Sequence, residues 1–127
     1  MTANKHTPGP WRYEGAEVWA TAPMRFNLTT AGTPMIATLC KHEDADGGFP
    51  VEANARLISA APELLEACQT FSEWLRREEA GFPAETRFGT PDGEAKWREW
   101  YFENLRICDL AQTLARDAIA KATGSAE

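Results

Sequence analysis

The 127-residue chain has the length and composition of one small globular domain, with 43% hydrophobic and 25% charged residues. Its net charge of -6 argues against direct nucleic-acid binding, because such binding depends on basic side chains that neutralise phosphates. No apolar run approaches the ~18–20 residues of a membrane span, and the N-terminus lacks the apolar segment of a secretory signal. We therefore expect a single cytoplasmic domain over residues 1–127, with no membrane contact.

Short β-prone runs over residues 11–40 predict a small antiparallel meander of three to four strands. Alternation places Trp11 and Tyr13 on one face, which suits a sheet covered on that face by helices. Turns that contain glycine or proline separate the expected strands: Trp11–Glu14, Glu17–Ala20, Phe26–Thr29 and Met35–Leu39.

The polar segment that follows, residues 41–50, predicts a solvated loop. It contains His42, Asp44 and Asp46, but these ligand types do not have the regular spacing of a calcium-binding loop. We therefore expect no metal site there.

Helical periodicity starts after this loop and predicts a proline-broken helix over 51–80. Pro62 disfavours helix at the residue before it and fits the first turn of a new helix. Residues 81–93 are rich in glycine and proline and predict a loop. A last helix is expected over 94–122, with Asp92 as its N-cap, before a tail at 123–127. The predicted class is α+β, with a small N-terminal sheet followed by a helical hairpin.

The last helix is long for so small a domain, at about 45 Å. Its far end carries alanine at helical spacing, which permits close approach of another helix. Part of it is expected to pack on the preceding helix, and part can serve a homo-oligomer.

Two segments carry a resemblance to a known family: His6–Trp11 (HTPGPW) and Glu52–Ala67 (EANARLISAAPELLEA). Together they resemble small accessory proteins of phages and prophages, over roughly residues 6–68. The resemblance implies a phage or prophage origin and action inside the host bacterial cell. The resemblance also implies an accessory function, such as antagonising host defence by binding, and it assigns no catalytic residue.

The residues themselves suggest no reaction. Cys40, Cys68 and Cys108 form no Cys-x-x-Cys pair, so neither a disulfide framework nor a zinc site is indicated. His6 and His42 lie in no nucleophile or zinc motif, and no glycine-rich phosphate loop precedes a lysine. We expect a protein that is not an enzyme and that has no cofactor.

The strongest sign of binding is a cluster of four aromatic residues at the start of the last helix. At about 100° per residue these rings spread over more than half of the helix circumference, which one intramolecular core cannot easily cover. Tryptophan, tyrosine and arginine dominate interface hot spots, so we predict a partner-binding surface on the helix start and the loop before it. Its residues are Trp97, Arg98, Trp100, Tyr101, Phe102, Phe82, Arg87 and Phe88. The alternative is that the sheet covers one side of this helix and the loop covers the other.

The expected function is stoichiometric binding to a host protein, as in an anti-CRISPR inhibitor. The same region also fits an oligomeric sponge for a nucleotide signal, because aromatic planes stack on bases and arginines pair with phosphate. The sponge requires a concave pocket with converging arginines, whereas protein antagonism requires an exposed and largely flat patch. In the nucleotide sponge, the ligand-binding residues would be Arg87, Arg98, Arg106 and Trp100. A minor structural protein of the phage particle is a third alternative.

Overall fold

A computed structural model of the chain describes residues 5–25, 30–40, 50–82 and 89–125. Within these ranges a small β region is followed by three helices, which confirms the α+β class and the long last helix. The strands are β1 Trp11–Glu14, β2 Glu17–Ala20, β3 Met24–Arg25, β4 Ala31–Gly32 and β5 Met35–Thr38. The helices are α1 Val51–Ser59, α2 Ala61–Ala80 and α3 Pro91–Thr123. None of the described helices has the length and apolarity needed to cross a membrane.

The strands form a three-stranded antiparallel sheet, in the order β1-β2-β5, and a separate antiparallel pair of β3 and β4. Trp11 and Tyr13 share one face, as alternation predicts. Their cross-strand partners are Ala20 and Val18, which are fully or almost fully buried. The strand expected at 26–29 lies outside the described residues.

Helix α1 packs on the inner face of β1 and β2. Arg56 donates a hydrogen bond from Nε to the Tyr13 hydroxyl at 3.2 Å, and its guanidinium carbon lies 5.5 Å from the centre of the Tyr13 ring. This hydrogen bond is the main reason that the pKa of Arg56 is raised. The structure thus gives Arg56 an internal role between α1 and the sheet.

The two segments that carry the family resemblance contact each other. Gly9 lies so close to Pro62 that a Cβ atom at Gly9 would be 2.7 Å from the Pro62 Cβ, which explains why glycine is needed there. Trp11 donates its indole N–H to the Thr7 carbonyl at 3.2 Å, and the His6 ring meets the Trp11 ring edge-on. The N-terminal segment is therefore folded onto the start of α2.

The helix boundaries differ from the sequence predictions by a few residues. The break falls at Ala60, and Ala61 is already helical, because a proline in the first helical turn needs no N–H partner. Helix α3 begins at Pro91 rather than at 94. Its N-cap is Thr90 and not Asp92: the Thr90 hydroxyl accepts the Gly93 backbone N–H at 3.1 Å.

Helices α2 and α3 form an antiparallel hairpin that is held at both ends by polar contacts. Lys121 bonds Glu63 at 2.7 Å near the start of α2. Near the end of α2, Asn104 accepts a hydrogen bond from Arg77 Nε at 2.6 Å and donates one to Glu78 Oε1 at 2.8 Å. Between these contacts the buried positions are small or aliphatic, which lets the helices approach closely. They are Ala67, Ile107, Ala111 and Ala118.

Replacing Asn104 with alanine should destabilise the hairpin. Asn104 is 3% exposed and bonds two side chains of α2, so its loss leaves Arg77 and Glu78 without their partner. We expect the free energy of unfolding in urea to fall by about 1–3 kcal/mol. The exposed Thr113→Ala change on the same helix should alter it by less than about 0.5 kcal/mol. Equal stability of the two variants would contradict this role of Asn104.

Candidate functional site

The aromatic start of α3 keeps a substantial part of its ring surface exposed. Trp97 and Tyr101 stack one helical turn apart, with ring centres 5.0 Å apart and planes 10° from parallel. Phe102 meets Tyr101 edge-on and is 62% exposed, the largest fraction among the exposed large hydrophobic residues of the described chain. Trp100 is the half-buried member of the four. Since successive residues of a helix point about 100° apart, these rings divide between two sides of the hairpin.

On one side, a groove of about 680 Å³ opens between the end of α2 and the first half of α3. Trp100 and Phe82 form its aromatic wall, with their rings edge to face at 5.9 Å. Phe102 completes the apolar lining. We call this the aromatic groove; its remaining lining residues are Arg77, Lys96, Glu99, Glu103 and Arg106.

The basic side chains of the aromatic groove are engaged within the chain. Arg106 bonds both carboxylate oxygens of Glu103, at 2.6 and 2.9 Å. Lys96 pairs with Asp92 at 3.3 Å, and Arg77 bonds Asn104. These contacts leave a groove of mixed charge. A ligand phosphate would have to displace carboxylates before it could pair with Arg106 or Lys96.

The hydrogen bonds from Arg106 hold the pKa of Glu103 below its usual value, and the charges of Arg106 and Arg77 lower it further. The same contact raises the pKa of Arg106. The two side chains therefore form a charged pair on the rim of the aromatic groove.

The predicted site residues do not all come together. Arg98 lies on the solvent side of α3, where its nearest ion-pair partner is Glu94 at 3.9 Å, and it does not line the aromatic groove. Arg106 and Trp100 do line it. Arg87 and Phe88 lie outside the described residues. The three arginines predicted to face a phosphate are therefore not shown to converge.

Four groove residues were missed by the sequence prediction: Arg77, Lys96, Glu99 and Glu103. Lys96 has a signal in the sequence, because 96, 99, 103 and 106 recur at three- and four-residue spacing and so share one helical face. Arg77 has none, because it belongs to α2 and reaches the groove only through the packing of the hairpin.

Trp97 and Tyr101 lie on the other side of the hairpin, where they continue into an apolar stripe. The stripe includes Leu105 on α3 and Phe71 and Leu75 on α2, all of them exposed. We call this the hairpin face; its residues are Cys68, Phe71, Leu75, Trp97, Tyr101, Leu105 and Cys108.

The part of the chain that the structure describes contains no group of three histidine, cysteine or acidic side chains placed to hold a metal. The His42 segment lies outside that part. Cys40 and Cys68 are exposed thiols and Cys108 is half-buried.

A protein family described as Salmonella phage P22 protein Y8K6 matches residues 1–126 of the chain. The chain belongs to this family. The phage origin that the resemblance implied is thus confirmed, and the match extends beyond residue 68, where the resemblance ended. No curated protein and no solved structure matches the chain.

The Glu103–Arg106 pair predicts an abnormal titration in this phage-family protein. Because the folded-state pKa of Glu103 is lowered, its ionised form is favoured by folding. The stability that it contributes is present above the unfolded-state pKa and is lost as the pH falls through the folded-state pKa. Side-chain carboxyl NMR should therefore place the Glu103 midpoint below that of an ordinary glutamate.

In Arg106→Gln, the Glu103 midpoint should rise towards the ordinary value. Glu73 is the internal control, because its pKa is lowered by hydrogen bonds from Arg76 and should not respond. An unchanged Glu103 midpoint in the variant would show that Arg106 is not the cause.

Proposed function

We propose that this phage-family protein is a non-enzymatic accessory protein that acts by stoichiometric binding to a host protein. A component of host defence, such as a CRISPR complex, is the partner class that we expect. The proposal rests mainly on the exposure of Phe102 beside the aromatic groove. Membership of a phage protein family supports a role in the infected host cell.

Phe102 has the properties of an anchor for a partner. A phenylalanine side chain carries roughly 200 Å² of surface, so an exposed fraction of 62% leaves about 120 Å² open to water. Burying that area in a partner would contribute about 3 kcal/mol. The aromatic groove beside it offers Trp100 and Arg106, and hot spots are enriched in these residue types.

Charge favours a protein partner with mixed or basic surface. The groove combines basic and acidic side chains, and such a mixture matches the polar rim of a protein interface. The net charge of -6 would also steer encounters towards basic surfaces. A host protein with an apolar pocket surrounded by basic residues fits both features.

Replacing Phe102 with alanine should remove partner binding without unfolding the chain. The ring is largely exposed, so its loss should cost little stability, whereas the partner loses its anchor. We expect tagged wild-type protein to capture a host protein from lysate in a fixed ratio, and Phe102→Ala to lose at least tenfold in affinity for it, equivalent to about 1.4 kcal/mol.

The matched control is Leu57→Ala on α1, which removes a side chain that is 52% exposed and lies away from the aromatic groove. It should retain full capture. If both variants retain full capture and full inhibition of host defence, the aromatic groove is not the binding surface.

The aromatic groove also gives specific support to a second candidate, a sponge for a nucleotide signal. Trp100 offers a plane for a base, and Arg77, Lys96 and Arg106 line the same groove. The carboxylates that already engage Lys96 and Arg106 weigh against it, because they compete with a phosphate. The nucleotide sponge is therefore less well supported than protein binding.

Thermal unfolding in the presence of cyclic mono- and dinucleotides separates the two candidates. If protein binding is the function, none of these ligands should raise the melting temperature. A rise that is lost in Trp100→Ala and in Arg106→Gln, but kept in Leu57→Ala, would instead support the sponge, since a ligand stabilises the folded state that binds it.

A further inference from the structure

The hairpin face is an uncovered apolar surface made by two helices. The sheet packs on α1, and the larger residues of the hairpin face remain open: Phe71 is 50% exposed and Leu105 is 42% exposed. The Glu94–Arg98 ion pair of α3 borders this stretch. The sequence supplies Cys68, Phe71 and Leu75 at helical spacing on one helix. On the other it supplies Trp97, Tyr101, Leu105 and Cys108.

The apolar residues of α2 and those of α3 lie on the same side of the hairpin. The contacts on the groove side show this. Arg77 of α2 lies beside Glu103 of α3, so these positions mark the groove side. At about 100° per residue, Phe71 and Leu75 lie roughly 120–160° around α2 from Arg77. Tyr101 and Leu105 are rotated by a similar angle or more from Glu103 around α3. In an antiparallel pair, both rotations lead to the side opposite the groove.

The size of the hairpin face is close to what a specific interface needs. At roughly 200 Å² per ring, the exposed fractions of Phe71, Trp97 and Tyr101 together leave about 250 Å² of aromatic surface. The leucine and cysteine side chains between them roughly double this area, so two copies could bury about 1,000 Å² in total. That value is at the lower limit for a specific interface, which predicts a dimer that dissociates on dilution.

From these observations we infer that a second copy of this chain docks on the hairpin face and completes a four-helix bundle. A helical pair with one apolar side is half of such a bundle, and a twofold axis brings the same apolar residues of both copies together. A face whose central residues are apolar suits an identical face, because two copies meet at its centre without like-charge repulsion. The basic partner expected at the aromatic groove would gain no electrostatic attraction on this side.

Size-exclusion chromatography with light scattering tests this assembly directly. We expect the wild-type chain to show twice the 14.1 kDa mass of one copy at high concentration, and one copy on dilution. Leu105→Glu should remain monomeric at every concentration, because it places a charge at the centre of the interface. Far-UV circular dichroism should show unchanged helix content, since Leu105 is exposed in the single chain.

Leu110→Glu is the matched control. Leu110 lies on the same helix and is 41% exposed, against 42% for Leu105, but it faces away from the hairpin face. Its glutamate variant should therefore remain a dimer. A wild-type chain that is monomeric at its highest soluble concentration overturns the inference, and so does a dimer that both glutamate variants preserve.

Thiol labelling gives a second measurement in the same proteins. Cys68 lies on the hairpin face and Cys40 does not, and both thiols are exposed in the single chain. In the wild-type dimer, maleimide should react several-fold more slowly at Cys68 than at Cys40, and Leu105→Glu should remove this difference. Equal rates in a wild-type sample that is fully dimeric would place the interface elsewhere.

The outcome does not depend on the proposed function. Leu105→Glu leaves the aromatic groove intact, so a monomer that still captures its host protein through Phe102 would separate assembly from partner binding. A wild-type dimer in which Phe102→Ala leaves capture unchanged would support the inference and contradict the proposed function.

Discussion

Lys121 joins three parts of the chain: the sheet, the start of α2 and the end of α3. Its ammonium group bonds the Trp11 carbonyl at 2.8 Å and the Glu63 carboxylate at 2.7 Å. The first bond attaches the end of α3 to the sheet, and the second attaches it to the start of α2. Because the group is partly buried, these charge-assisted bonds are less weakened by water than a surface ion pair would be.

This junction anchors the hairpin at one end only. Sheet, α1 and the end of α3 pack together there, and α2 and α3 extend away from it as a pair of helices. Two packed helices can bury only the residues that face each other, so both flanks stay open. The aromatic start of α3 lies at the far end of this pair, which is why its rings are presented to solvent as a surface that a partner can reach.

The two flanks have different chemistry, which suggests a division of roles. The aromatic groove mixes rings with paired charges, as partner-binding surfaces do. The hairpin face is mainly apolar, as the core of a symmetric interface is. Tyr101 and Phe102 are neighbours in sequence and yet belong to different surfaces, because one residue turns a helix by about 100°. Phe102 therefore lines the groove and Tyr101 does not, although their rings meet edge-on.

The chain specified its elements through local signals: alternation at Trp11 and Tyr13 for a strand, Pro62 for the break between helices, and three- to four-residue apolar spacing for the hairpin. These signals depend on neighbouring residues and can be seen without a fold. The prediction of Asp92 as the N-cap was wrong, because the backbone turns into the helix at Thr90, whose hydroxyl caps it. Tertiary packing alone decided which side of α3 meets α2, because the apolar residues between 97 and 105 point in several directions. It therefore decided that Trp100 turns to the groove with Arg77, and that Tyr101 and Leu105 turn away from it.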